Sequence, residues 1–367
     1  MKIYYLFAPI EEGCVGPESG VERKVRSQAE TMDADLVILP TVKYSGKTSE
    51  KIYRRLPLTP GWRNWKYNGE FDDADAVYIR KVYEDSTFIR YLCDIKKSNP
   101  SVKIIYEVPT YPENEGSGRG SITGMPYRIK MRRAIKNLSK YVDRIVTFYG
   151  QNEIYGIPCI KLINGYDFSK VQLCERSKAN EIHILSVAQN ASWHGYDRAI
   201  EGLHQYYANG GTENFIYNLV GDPLKEYIDK VEEYNLSEHV ILHGRKSGEE
   251  LNDMYRQSFI GLDVLGGHRK DYPVSSSLKS REYGAWGMPL ITSSPVDYLD
   301  ENSEYQLIVP YDDTPLDFET VSEYYHKLFD GNDCNALAQE IRANAEQCCD
   351  MKIAMEPVVE WIEGDCE

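Results

Sequence analysis

The chain has 367 residues, with 42 Lys and Arg against 57 Asp and Glu, a formal net charge of −15, and 42% of its residues are hydrophobic. That length suits two domains, each able to bury its own core, and the acidic balance argues against nucleic acid as a partner. No apolar run approaches the roughly 18 residues that cross a bilayer, and the opening Met1-Lys2-Ile3-Tyr4-Tyr5-Leu6-Phe7 meets Glu11-Glu12 too soon for a secretion signal.

Charge is uneven along the chain. Residues 1–165 hold 26 Lys and Arg and 20 Asp and Glu, a net of +6, which leaves −21 for the remainder. A basic face on the first half suits an anionic membrane surface or a phosphorylated lipid. The eight cysteines form no CxxC pair and lie beside no histidine at metal-ligand spacing. They read as reduced thiols of a cytoplasmic protein, with Cys348-Cys349 as two small buried hydrophobes and no metal site.

Short β-branched or aromatic runs alternate with amphipathic segments of helical length through both halves, the pattern of parallel α/β sheets. In the first half, strands are expected at 2–7, 35–39, 76–79, 102–107 and 144–148, with helices at 19–32, 85–98 and 124–140. In the second, strands are expected at 182–188, 215–220, 240–242, 259–264, 289–292 and 306–309, with helices at 196–208, 223–234, 248–257 and 277–286 and an acidic helical tail from 333. Turn residues and charges interrupt this rhythm at 163–180, so the boundary falls near 168–178. Domains of 1–170 and 171–367 follow, and the last helix is expected to pack back on the first.

Chemistry is expected where parallel strands end. Gly13, Gly16 and Gly20 follow the first strand, at a spacing unlike GxGxxG, and let backbone N–H groups approach a phosphate or sugar. Glu107 ends the fourth strand of the first half and is the candidate sugar-contacting carboxylate, since that half contains no histidine, with a helix-capping or structural acid as the alternative. In the second half Trp193-His194-Gly195-Tyr196-Asp197 follows a strand and opens a helix, a place for a diphosphate, with His194 supplying charge if protonated. The segment Ser277-Leu278-Lys279-Ser280-Arg281-Glu282, before Gly287-Met288-Pro289, is read as a donor-binding helix start. Glu282 can accept both hydroxyls of a ribose cis-diol, and Lys279 and Arg281 can neutralise phosphates. Two basic aromatic patches, one with Arg54, Arg55, Trp62 and Trp65 and one with Arg132, Arg133 and Lys136, suit an anionic membrane or an acceptor's lipid phosphate.

Taken together these segments resemble the GT-B glycosyltransferases, within them the large retaining family that builds capsular and other surface polysaccharides. The likeness rests on Ile184-Leu185-Ser186-Val187, His194-Gly195-Tyr196-Asp197, Asn218-Leu219-Val220-Gly221-Asp222, Val240-Ile241-Leu242-His243-Gly244-Arg245 and 278–289, in the family's order. In the first half, Ser19-Gly20-Val21-Glu22-Arg23 resembles the family's Gly-Gly-Ile-Glu-Arg, and Asn164-Gly165-Tyr166-Asp167 its interlobe Asn-Gly-Val-Asp. The resemblance implies two Rossmann-like domains facing across a cleft, with acceptor on the first and nucleotide sugar on the second. It implies retaining transfer from a nucleotide-diphosphate sugar to a glycan or lipid-linked acceptor, without metal or other cofactor, at the inner face of the cell membrane.

By the same resemblance Glu282 binds the ribose, the Ser277-Leu278 backbone meets the diphosphate, and Gly20 the sugar-phosphate region, with Gln189, Gly195 and Gly221 at the neighbouring strand ends. Three positions depart from it. Val274 stands eight residues before Glu282, where the family often has another Glu, Gln189 and His194 replace an Arg and a Lys, and the first-half histidine is absent. Lys279, Arg281, Arg245, Arg269 and His194 are the candidate substitutes for the missing cations. The alternative reading is a catalytically inactive GT-B-like partner subunit of a glycosylation complex.

Overall fold

The computed structural model describes residues 1–9, 20–43, 45–109, 111, 125–148, 150–173, 175 and 180–364. The chain divides into two compact units, Met1–Leu162 with Ala354–Glu367, and Ile163–Ile353.

In the first unit the strands are β1 (Ile3–Phe7), β2 (Ala34–Ile38), β3 (Ala76–Arg80), β4 (Lys103–Val108), β5 (Arg144–Thr147), β6 (Glu153–Ile154) and β7 (Ile157–Lys161). Among the described residues they form one seven-stranded sheet in the order β2-β1-β3-β4-β5-β7-β6, parallel except for the β6–β7 hairpin. The central strands are continuous apolar runs because helices cover both faces. The helices of this unit are α1 (Gly20–Thr31), α2 (Thr48–Arg55), α3 (Ser86–Ser98) and α4 (Met125–Ile135), and α2 buries only Arg54. Helix α3 shows how the sequence does this. The Asp85 carboxylate caps it, accepting from the amides of Thr87 at 2.8 Å and Phe88 at 3.1 Å. Phe88, Tyr91, Leu92 and Ile95 then recur on one buried face.

The second unit contains β8 (Ile182–Val187), β9 (Phe215–Val220), β10 (Val240–Gly244), β11 (Ile260–Leu262), β12 (Leu290–Thr292) and β13 (Gln306–Ile308). They pair in the order β10-β9-β8-β11-β12-β13, all parallel. In order of appearance this is 3-2-1-4-5-6, the doubly wound nucleotide-binding order, and the winding reverses between β8 and β11. Helices α5 (Asp197–Ala208), α6 (Lys225–Glu233), α7 (Gly248–Gln257), α8 (Leu278–Ala285), α9 (Phe318–Phe329) and α10 (Cys334–Cys349) flank the sheet. The largest core cluster joins Ile184, Leu203, Phe215 and Leu262 to Phe318, Tyr325 and Phe329 of α9. The last helix, α11 (Met351–Glu363), begins in the second unit and ends in the first.

The α/β class and two parallel, doubly wound sheets agree with the expectation from sequence. Helix α2, the β6–β7 hairpin and α9 are additions to it. No described helix is long and apolar enough to cross a membrane.

Candidate functional site

Ligands of open α/β sheets bind beyond the carboxyl ends of the strands, at the switch point. In the second unit that is the ground between the loop after β8 and the loop after β11. The two loops are stitched together by the His194 carbonyl, which accepts from the amides of Leu265 at 2.8 Å and Gly266 at 3.2 Å. The approach is close enough to require glycine. Gly195 has φ of +72°, and a Cβ on it would lie 2.3 Å from the Gly266 nitrogen. Gly221, at the end of β9 with φ of +121°, lies against the Ala188 carbonyl, which a Cβ would meet at 1.8 Å.

Asp263, just past β11 and fully buried, organises the rest. Its carboxylate accepts from the hydroxyls of Ser275 at 2.5 Å and Ser277 at 2.6 Å. The Lys279 ammonium lies 3.7 Å from it. Lys279 also donates to the Asp263 carbonyl at 3.2 Å and to the Tyr196 hydroxyl at 3.1 Å. Burial lowers the Lys279 pKa from its usual value, and Asp263 works against that shift. Ser277 caps α8, its hydroxyl accepting from the Ser280 amide at 3.1 Å. The opening amides of α8, at Leu278 and Lys279, therefore point out at the switch point, where a helix start favours an anion. One turn on, Glu282 is half-buried and accepts the Tyr255 hydroxyl at 2.8 Å.

The charges expected from sequence are redistributed. His194 is 6% exposed, and its Nδ1 accepts from the Ala191 amide at 3.2 Å, which puts the ring proton on Nε2. Burial, then the charges of Lys279 and Lys270, lower its pKa to about 2. His194 is thus a neutral N–H donor and not the cation expected. Arg281 is fully buried, donating to the Asn164 carbonyl at 3.0 Å and to Ser280 Oγ at 2.9 Å and pairing with Asp297. It braces the serine loop from behind and has no donor left to offer a phosphate. Arg269 is clamped by Asp197 through two 2.7 Å bonds and by Asp313 at 2.7 Å. Arg245 is exposed and pairs with Asp222 at 2.6 Å, and Gln189 is exposed beyond β8. Lys270, which sequence reasoning passed over, stands 4.2 Å from the centre of the Trp193 ring beside His194. Among the described residues no cluster of His, Cys, Asp or Glu is suited to a metal ion.

In the first unit the strand order β2-β1-β3-β4-β5 places a switch point between β1 and β3. A small hollow of about 20 Å³, room for a single water, lies there, lined by Ala8 and Pro9 after β1, Val82 and Tyr83 after β3, and Trp62 and Trp65. Gly20 is exposed and opens α1, while Gly13 and Gly16 lie outside the described residues. Of the two readings of Glu107, the geometry favours the structural one. It is fully buried, accepts from Tyr78 at 2.6 Å and Gln28 at 3.0 Å, and pairs with Arg80 and with Lys24 at 3.9 Å. Burial would raise its pKa, but Arg80, Lys24 and the two hydrogen bonds outweigh it, so the group is held below the usual carboxylate value. Glu107 ties α1, β3 and β4 together and is closed off from solvent.

Two of the expected membrane residues also turn inward. Arg54 is 7% exposed, its guanidinium held by Glu50 at 2.7 Å and by the carbonyls of Gly61 at 2.9 Å and Trp62 at 3.1 Å. Trp65 is 6% exposed and packs 5.0 Å from both Phe88 and Tyr91. Arg55 and Trp62 are half-buried, whereas Arg132, Arg133 and Lys136 are exposed.

No protein-family model matches the chain, and no curated protein matches it in sequence. Its fold is nonetheless shared with solved glycosyltransferases. HepE from Anabaena in complex with UDP superposes with a TM-score of 0.63 at 13% identity, over 99% of this chain and 100% of that one. A glycosyltransferase from Rickettsia africae gives 0.61 at 11% identity, over 100% and 99%. Sucrose-phosphate synthase from Thermosynechococcus elongatus gives 0.60 at 13%, over all of both chains. The architecture is that of the GT-B glycosyltransferases.

Proposed function

We propose that this protein is a retaining glycosyltransferase that moves a sugar from a nucleotide-diphosphate donor to a hydroxyl of a glycan or lipid-linked acceptor. In this reading it serves surface-polysaccharide synthesis at the cytoplasmic face of the cell membrane and needs no metal. The observation that carries it is the constellation at the β8–β11 switch point, where Asp263 holds Ser277 and Lys279 beside the open start of α8, with Glu282 one turn further. Glu282 takes the ribose hydroxyls. The α8 amides, the Lys279 ammonium and the His194 Nε2–H receive the diphosphate, stabilising charge where it develops on the leaving group. The acceptor hydroxyl attacks the anomeric carbon on the face from which the diphosphate departs. The carbon–oxygen bond to phosphate breaks, its electron pair stays on the diphosphate, and the acceptor proton passes to that oxygen. No enzymic nucleophile is involved, in keeping with the burial of Glu107.

Calorimetric titration with UDP and GDP is the first test. One of the two is expected to bind, and Glu282→Gln is expected to weaken it by about tenfold or more, the worth of a hydrogen bond to a charged acceptor. Failure of both to bind would remove the enzyme reading. The engagement of Arg281 and Arg269 by carboxylates favours one competitor, a GT-B-like subunit without turnover, which would consume no donor from a full nucleotide-sugar panel.

A further inference from the structure

Among the described residues, six of the twelve large hydrophobic side chains left exposed lie in one stretch of the first unit. Ile52, Tyr53 and Leu56 are on or next to α2, Leu58 follows on the Leu56-Pro57-Leu58 turn at 87% exposure, and Met125 and Ile129 are on α4. These segments form a single surface. Lys130, buried on the inner side of α4, donates to the Arg54 carbonyl at 2.5 Å and the Thr59 carbonyl at 2.6 Å, and so closes the carboxyl end of α2. The Trp62 ring stacks on Tyr127 of α4 with centres 6.4 Å apart.

Cations frame the apolar residues. Met125, Ile129, Arg132 and Arg133 on α4 and Lys136 just past its end follow a spacing of four, three, one and three residues, which is one helical stripe, apolar at its start and basic at its end. Lys47 and Lys51 are exposed beside Ile52. Glu50, paired with Arg54 at 2.7 Å, is the only acid in 45–66, and 125–142 contains none. In a chain of net charge −15, an apolar patch within an unbroken basic frame is matched by an anionic lipid surface: aliphatic side chains enter the acyl boundary and cations stay among headgroups.

We propose that the α2–α4 face docks on an anionic bilayer, with Leu56 and Leu58 as the inserting residues and Arg132, Arg133 and Lys136 as the headgroup contacts. The inference deepens the function proposed above, on which it rests for its purpose. Trp62 belongs both to this face and to the lining of the β1–β3 switch point, so a lipid-borne acceptor would arrive at the carboxyl edge of the first unit's sheet. The assignment moves the lipid contact from the tryptophans and Arg54 to the aliphatic residues around them.

The test is co-sedimentation of the full chain with vesicles of phosphatidylglycerol and phosphatidylcholine, beside phosphatidylcholine alone, without donor or acceptor. Wild type is expected to pellet at least about tenfold more with the anionic vesicles and less as salt is raised. The double variant Leu56→Asp/Leu58→Asp and the triple variant Arg132→Glu/Arg133→Glu/Lys136→Glu are each expected to lose about tenfold in binding. Leu58 is so exposed that thermal stability and nucleotide titration should stay unchanged in a Leu58→Asp variant, which separates docking from folding. The proposal is overturned if wild type ignores anionic vesicles or if the apolar variant binds as well as wild type. It is also overturned if velocity sedimentation shows a concentration-dependent dimer that the apolar variant abolishes, since the face would then be a self-association surface. Vesicle binding without nucleotide binding would leave this surface standing and remove the glycosyltransferase reading, and the reverse result would do the opposite.

Discussion

A histidine held neutral by burial is a liability in acid. The unfolded chain takes up a proton near pH 6.5, while folded His194 resists protonation down to about pH 2. The stability it contributes is therefore present above 6.5 and lost as pH falls between those limits. From pH 7 to pH 5 the loss amounts to about 2 kcal/mol at 1.36 kcal/mol per proton and pH unit. His194→Asn keeps an acceptor for the Ala191 amide and removes the titration. Urea midpoints measured at the two pH values should accordingly lie closer together in the variant. Asp263 is the second residue on which much depends. Asp263→Asn leaves the buried Lys279 ammonium without its counter-charge, and removing one member of a buried pair costs about 3–5 kcal/mol. The variant is expected to melt well below wild type and to bind UDP or GDP poorly, whereas Asp222→Asn, which touches only exposed Arg245, should do neither.

Between elements, the tightest constraint is the crossing of the β8 and β11 loops. Gly195→Ala places a methyl group against the Gly266 backbone in a left-handed conformation, and is expected to cost more than about 2 kcal/mol, seen as reduced soluble yield and a lower melting temperature. Strand and helix alternation made most of this architecture readable, because a parallel strand covered on both faces has to be an apolar run. Helix α2 escaped notice because Pro57 and Pro60 follow close behind eight mostly polar residues, and the β6–β7 hairpin because β6 has only two residues and carries no period. In the site, Lys279 and Glu282 were readable from their separation of three, which puts them on one helical face. Arg281, two residues after Lys279, lies on the opposite side of that same helix, and its burial follows from the geometry that turns the other two away from it. Asp263 gave no signal. A single acid at a strand end acquires its partners only when β12 closes against β11 and brings the serine loop back over it.

For the whole molecule, ligand binding should register as stability. A nucleotide present at a hundredfold excess over its dissociation constant stabilises the folded state by about 2.7 kcal/mol. A thermal-shift panel of nucleotide sugars should therefore single out the donor base by the largest rise in melting temperature. The path of α11 adds a consequence for biosynthesis. Its Met355 sulfur lies 3.6 Å from Gln28 Nε2, the carbonyls of Trp361 and Ile362 accept from Lys103 at 3.1 and 2.8 Å, and Arg144 covers the Trp361 ring at 5.1 Å. The first unit thus waits for the residues of α11 to leave the ribosome, while the unit from Ile163 to Ile353 is an unbroken stretch that can close before it. Released chains truncated after residue 353 should carry a protease-resistant second unit and a first unit still open to cleavage, the reverse of the usual amino-terminal-first order.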